Sequence, residues 1–101
     1  MEKITQDIVP TEFELAQNYP NPFKEKTTIK YCVPERVKIR LELLDLDGNK
    51  LRTLVDEIKE AGTHKIEIKA NELNSGEYLY KLESRDYFES KKMVVLKIDQ
   101  N

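Results

Sequence analysis

Cysteine, histidine, tryptophan and glycine are scarce in this chain, which has one Cys, one His, no Trp and three Gly in 101 residues. Each scarcity closes off a class of function. A single Cys32 can form neither an internal disulfide nor a cysteine-based zinc cage, so packing alone must hold the fold. The three glycines stand far apart, so no Gly-rich phosphate loop exists. No apolar run approaches the ~18 residues of a membrane span, and the first twenty residues lack the basic start and apolar centre of a signal peptide. Lys and Arg (17) nearly balance Asp and Glu (19), for a formal net charge of −2. The two signs are interspersed rather than sorted into blocks. That pattern argues against nucleic acid, which needs a clustered basic field, and offers no polybasic anchor for direct membrane insertion.

What is present is period-two alternation, the mark of half-buried strands. In "TTIKYCV", Ile29, Tyr31 and Val33 share one face, and in "VKIRLEL", Val37, Ile39, Leu41 and Leu43 do. The adjacent Leu43 and Leu44 break the alternation and predict a β-bulge or bend. Asp47-Gly48 predicts a hairpin turn, since Gly accepts positive φ and Asp tolerates it. "KLRTLVDE" reads as the returning strand, although Leu51 and Leu54 also fit helical spacing. A turn ending at Gly62 precedes "THKIEIK", and the short loop "ANELNSG", closing on Gly76, carries Leu73 as a plug for the core. "EYLYKLES" places Tyr78, Tyr80 and Leu82 on one face, and Arg85-Asp86 turns the chain into "YFESKKMVVLKID". In that last segment Val94, Leu96 and Ile98 share one face and Met93 and Val95 the other. With "EFELA" at 12–16 the count is about seven strands and no long helix, which predicts an all-β, antiparallel sandwich.

No catalytic constellation emerges. His64 lies in an alternating strand and reads as a partly buried strand residue. Cys32 reads as a small half-buried strand residue, with a dimer-forming thiol as the alternative and a homodimer of the isolated domain left open. "DLDG" at 45–48 suggests calcium, but an EF-hand register on Gly48 would begin and end on Leu43 and Leu54, which offer no oxygen ligands. Turn chemistry is the better reading. The chain is expected to be no enzyme and to need no cofactor or metal.

"LAQNYPNPFKEKTTIKYCVP", "VKIRLELLDLDGNKLRTLVDEIKEAGTHKIEI", "LNSGEYLYKLES" and "KKMVVLK", in that order, resemble the type A C-terminal sorting domain of the type IX secretion system, the Por secretion system tail of Bacteroidetes and related bacteria. The resemblance covers about residues 12 to 98. It implies a seven-stranded, immunoglobulin-like sandwich attached to an N-terminal cargo domain. It further implies a non-catalytic address read by an outer-membrane receptor and commonly removed by sortase-like machinery, with the cargo passing through the periplasm to the cell surface or the medium. Residues 1–11 would then be the linker and cleavage region, and 12–101 the sorting domain. Two other readings stay open: a structural or carbohydrate-contacting sandwich on a surface protein, and an assembly module related to the immunoglobulin-like domain of flagellar hook-capping proteins.

Two segments stand out as candidates. In "QNYPNPF", which includes Asn18, Tyr19, Pro20, Asn21, Pro22 and Phe23, proline fixes φ and biases the preceding residue to extended backbone. The expectation is a stiff, nearly extended corner whose Tyr19 and Phe23 cap the core, with direct receptor contact as the alternative. In the last strand, Lys91, Lys92, Met93, Val94, Val95, Leu96 and Lys97 are expected to carry the signal, through an open strand edge suited to β-addition. The alternative is that "MVVL" merely completes the core.

Overall fold

The computed structural model describes residues 9–97. Seven strands follow in chain order: β1 (Glu14–Leu15), β2 (Lys26–Val33), β3 (Val37–Leu44), β4 (Lys50–Lys59), β5 (Gly62–Lys69), β6 (Gly76–Ser84) and β7 (Tyr87–Val95). One 3₁₀ turn, Ala70–Glu72, links β5 to β6. The strands form two antiparallel sheets, ordered β1-β2-β5 and β4-β3-β6-β7, which pack as the expected immunoglobulin-like sandwich.

Alternation decides what fills the space between the sheets. Ile29, Tyr31 and Val33 of β2 meet Ile39, Leu41 and Leu43 of β3, Tyr80 and Leu82 of β6, and Met93 and Val95 of β7 in one buried cluster. Leu73 closes one end, as expected of a plug. At about 1.5–3 kcal/mol for each fully buried large apolar side chain, this cluster supplies most of what opposes chain entropy in a domain without disulfides.

A bulge occurs where the adjacent leucines predict one, but it lies on the partner strand. The β3–β6 register runs unbroken from Arg40↔Glu83 to Leu44↔Leu79. The β3–β4 register instead shifts between Leu41 and Glu42 and again between Leu43 and Leu44. Leu41 faces Val55 and Glu42 faces Thr53, so Leu54 is the extra residue; Leu43 faces Arg52 and Leu44 faces Lys50, so Leu51 is the second. Two bulges three residues apart give β4 its helix-like leucine spacing.

The turns follow local chemistry. Asp45 Oδ1 accepts the Asp47 and Asn49 N–H groups, each at 2.9 Å, and its Oδ2 accepts Asn49 Nδ2 at 3.0 Å. Those bonds, the Asn49 backbone bond foremost, hold the Asp45 carboxyl below the usual carboxylate range. Gly48, at φ +90°, supplies the left-handed residue this turn requires. The carboxylate that suggested calcium is thus engaged in building the turn. His64 is half-buried, as expected, with its ring stacked on Tyr31 at 5.4 Å.

The last strand is covered on one face. Met93 and Val95 are 0% exposed, whereas Val94 is half-buried and Leu96 is 52% exposed; Ile98 lies outside the described residues. Met93→Ala should therefore cost about 2–4 kcal/mol in urea unfolding, by transfer and cavity terms, and Leu96→Ala less than about 0.5 kcal/mol. Equal costs would mean that the strand faces are assigned wrongly.

Candidate functional site

The corner at residues 17–23 starts as a continuation of the sheet. Tyr19 and Thr28 exchange two backbone hydrogen bonds, each 3.0 Å. Strand alternation then points Asn18 inward and Tyr19 outward. Tyr19 is 81% exposed, so the expectation that it plugs the core is corrected: its pairing with Thr28 turns it to solvent. Phe23 does act as a plug, at 1% exposed. Nor is the stretch nearly extended, because the Tyr19–Pro20 and Asn21–Pro22 peptide bonds are both cis, a geometry that a fixed-φ argument does not anticipate.

A buried asparagine must find partners for its amide. Asn18 Nδ2 donates to Thr27 Oγ1 at 2.9 Å and to the Pro20 carbonyl at 3.2 Å, and its Oδ1 accepts Gln17 Nε2 at 2.8 Å. Thr27 Oγ1 donates in turn to the Pro20 carbonyl at 2.8 Å. The Asn18 N–H donates to Tyr80 Oη at 2.7 Å, and Tyr80 Oη donates to the Ala16 carbonyl at 2.7 Å. One phenol of the four-stranded sheet thereby fixes two backbone groups of the segment entering the corner. Burial pushes that phenol up to about pH 12, against the opposing effect of the Asn18 N–H.

The corner also reaches β7. Asn21 Oδ1 accepts the Val94 N–H at 2.9 Å, the Phe23 N–H donates to the Val94 carbonyl at 3.0 Å, and the Leu96 N–H donates to the Phe23 carbonyl at 2.9 Å. Gln17 Nε2 donates to the Lys92 carbonyl at 2.7 Å. β7 is an edge strand whose outward backbone groups would otherwise lack partners. Between residues 92 and 96 the corner supplies them, so the open edge expected there is closed.

The predicted residues accordingly divide. Asn18, Asn21, Phe23, Gly76 and Tyr78 gather with the tail at one end of the sandwich: Gly76 pairs with Val95, Tyr78 pairs with Met93, and Tyr78 Oη donates to the Asn74 carbonyl at 2.7 Å. The Asp47-Gly48 turn follows Leu44 at that same end, while Gly62, opposite Val33, lies at the other. Lys97 ties the tail to the preceding loop, through its N–H to Ser75 Oγ at 2.9 Å and its Nζ to the Leu73 carbonyl at 2.7 Å. Lys91 pairs with Glu89 at 3.4 Å and Lys92 with Glu77 at 3.2 Å. Sequence reasoning missed Gln17, Thr27 and Tyr80 as members of this cluster; the only available signal was that the two asparagines beside prolines would need partners.

A family model described as a secretion system C-terminal sorting domain matches residues 17–96. The chain belongs to that family, the sorting domains of type IX secretion. No curated protein and no solved structure matches it. The match begins at Gln17 and ends at Leu96, the two ends of the hydrogen-bonded clasp. Within this sorting domain the clasp joins the first matched segment to the last.

Tyr80→Phe should remove the partner of both the Asn18 N–H and the Ala16 carbonyl and destabilise the domain by about 2 kcal/mol or more. The native phenol holds its proton above the pH at which an unfolded tyrosine releases it. Its contribution is therefore full below pH 10 and declines as pH rises toward 12. Unfolding free energies measured from pH 8 to 12 should show a weaker alkaline decline in the variant; identical slopes would contradict this placement of Tyr80.

Proposed function

We propose that the tail is read in its docked state, as side chains displayed on the outer face of β7 and held in register by the corner. The family match supports a type IX secretion signal, and members of this family are non-catalytic. The observation that carries the finer reading is that the corner occupies the backbone of residues 92–96, leaving side chains for a partner to contact. Lys92 and Leu96 are exposed and Lys91 and Val94 half-buried, whereas Met93 and Val95 belong to the core. Of the segment from Lys91 to Lys97, alternate residues thus present the address and the others anchor it.

In this reading, an outer-membrane receptor of the type IX machinery takes up the domain from the periplasm. The cargo upstream of residue 12 passes to the surface or the medium, and a sortase-like peptidase cuts at or before residues 1–11. Residues 1–8 lie outside the described residues. The domain itself contributes shape and charge, not chemistry.

The test places residues 1–101 behind a Sec signal and a fluorescent protein in a host with a working type IX system. Cutting the chain after Ser90 would remove Met93 and Val95 from the core, so it cannot separate signal loss from unfolding. Lys92→Gln combined with Leu96→Asp is cleaner. The Lys92–Glu77 pair is exposed, and its loss costs less than about 1 kcal/mol. The wild-type fusion should reach the surface or medium, and the double variant should stay in the periplasm with its melting transition intact. Export of the variant at the wild-type level would contradict the docked-tail reading.

A further inference from the structure

The outer face of the three-stranded sheet sorts charge that is interspersed in the sequence. Period two places Lys26 and Lys30 of β2 outward with Lys65, Glu67 and Lys69 of β5, all exposed. The β2–β5 register then sets Lys26 directly opposite Lys69 and Lys30 directly opposite Lys65. Like charges facing each other across a strand pair are destabilising. Glu67 relieves one pair by reaching Lys26 at 3.6 Å. Among the described residues, Lys30, Lys65 and Lys69 have no carboxylate within 4 Å.

Tyr19 completes this face. It pairs with Thr28, and Thr28 pairs with Glu67, so the exposed ring stands in the row between the two lysine doublets. Lys26 and Lys30 are four residues apart on one strand, which separates the doublets by about 13 Å. The fold therefore displays an aromatic side chain between two facing pairs of lysines, of which Lys30–Lys65 has no carboxylate partner, on a face that no described element covers.

Resting on the sorting-signal reading, we infer that this face docks on an acidic surface of a protein partner in the secretion machinery, with Tyr19 as the anchor and the Lys30–Lys65 doublet as the charge contact. A tyrosine supplies contact area at low entropic cost and is enriched where binding energy concentrates. An acidic partner would offset the Lys–Lys repulsion that the isolated domain carries. A uniformly anionic lipid surface fits less well, because Glu14 and Glu67 share the face with the lysines. This surface is separate from the outer face of β7.

Lys65→Glu separates function from stability. The new carboxylate would face Lys30, turning repulsion into attraction, and should raise the melting temperature by about 2–4 °C. In the same export assay, we expect this more stable variant to leave the cell at least about fivefold less efficiently than wild type, and Tyr19→Ala to lose export at unchanged melting temperature. An exported wild type with both variants exported equally well overturns this inference alone; a wild type retained in the periplasm overturns the sorting-signal reading with it. Purified wild-type domain is also floated with phosphatidylglycerol vesicles at physiological salt. No co-flotation is expected, and co-flotation that Lys65→Glu abolishes would overturn the protein partner in favour of a lipid one.

Discussion

An edge strand carries backbone donors and acceptors that need partners, and β7 ends the four-stranded sheet of this domain. The chain meets that constraint with a loop rather than another strand. Asn21 and Phe23 bond both sides of Val94, Phe23 also holds Leu96, and Gln17 holds the carbonyl of Lys92. The loop can do so only because Asn18, Thr27 and Tyr80 fix its entry in a buried, mutually satisfied cluster. Core packing then positions the tail from the other side, through Met93 and Val95.

The arrangement also orders the domain along its length. Glu14 pairs with Cys32 near one end of the sandwich, while Val95 pairs with Gly76 and bridges Phe23 at the other. Chain preceding β1 therefore enters at the end remote from the tail. A cargo joined there would stand at the end of the sandwich away from the tail and the corner.

Much of this was legible from spacing alone. Strict alternation in β2 and β3 gave both strands and their buried faces, and Asp-Gly gave the turn between β3 and β4, because these patterns depend on neighbours within a few residues. The remainder depends on register. Nothing local says that Tyr19 pairs with Thr28 and so points outward, or that the extra residues of the bulges fall on β4, where Leu51 and Leu54 imitate a helix. Likewise, Lys30 and Lys65 are 35 positions apart in the chain and become neighbours only through the β2–β5 pairing. The family resemblance identified the domain, whereas the clasp rests on bonds between residues 17–23 and 92–96, more than seventy positions apart.

The most direct test of the clasp is amide hydrogen exchange at Val94 in the wild-type domain and in Asn21→Ala. The Val94 N–H faces Asn21, whereas Met93 and Val95 are paired with β6. A protected Val94 amide is expected in the wild type and exchange faster by about tenfold in the variant, with Met93 and Val95 unchanged. A Val94 amide that exchanges in the wild type as fast as an exposed loop, or that is indifferent to loss of Asn21, would show that the corner does not hold the tail.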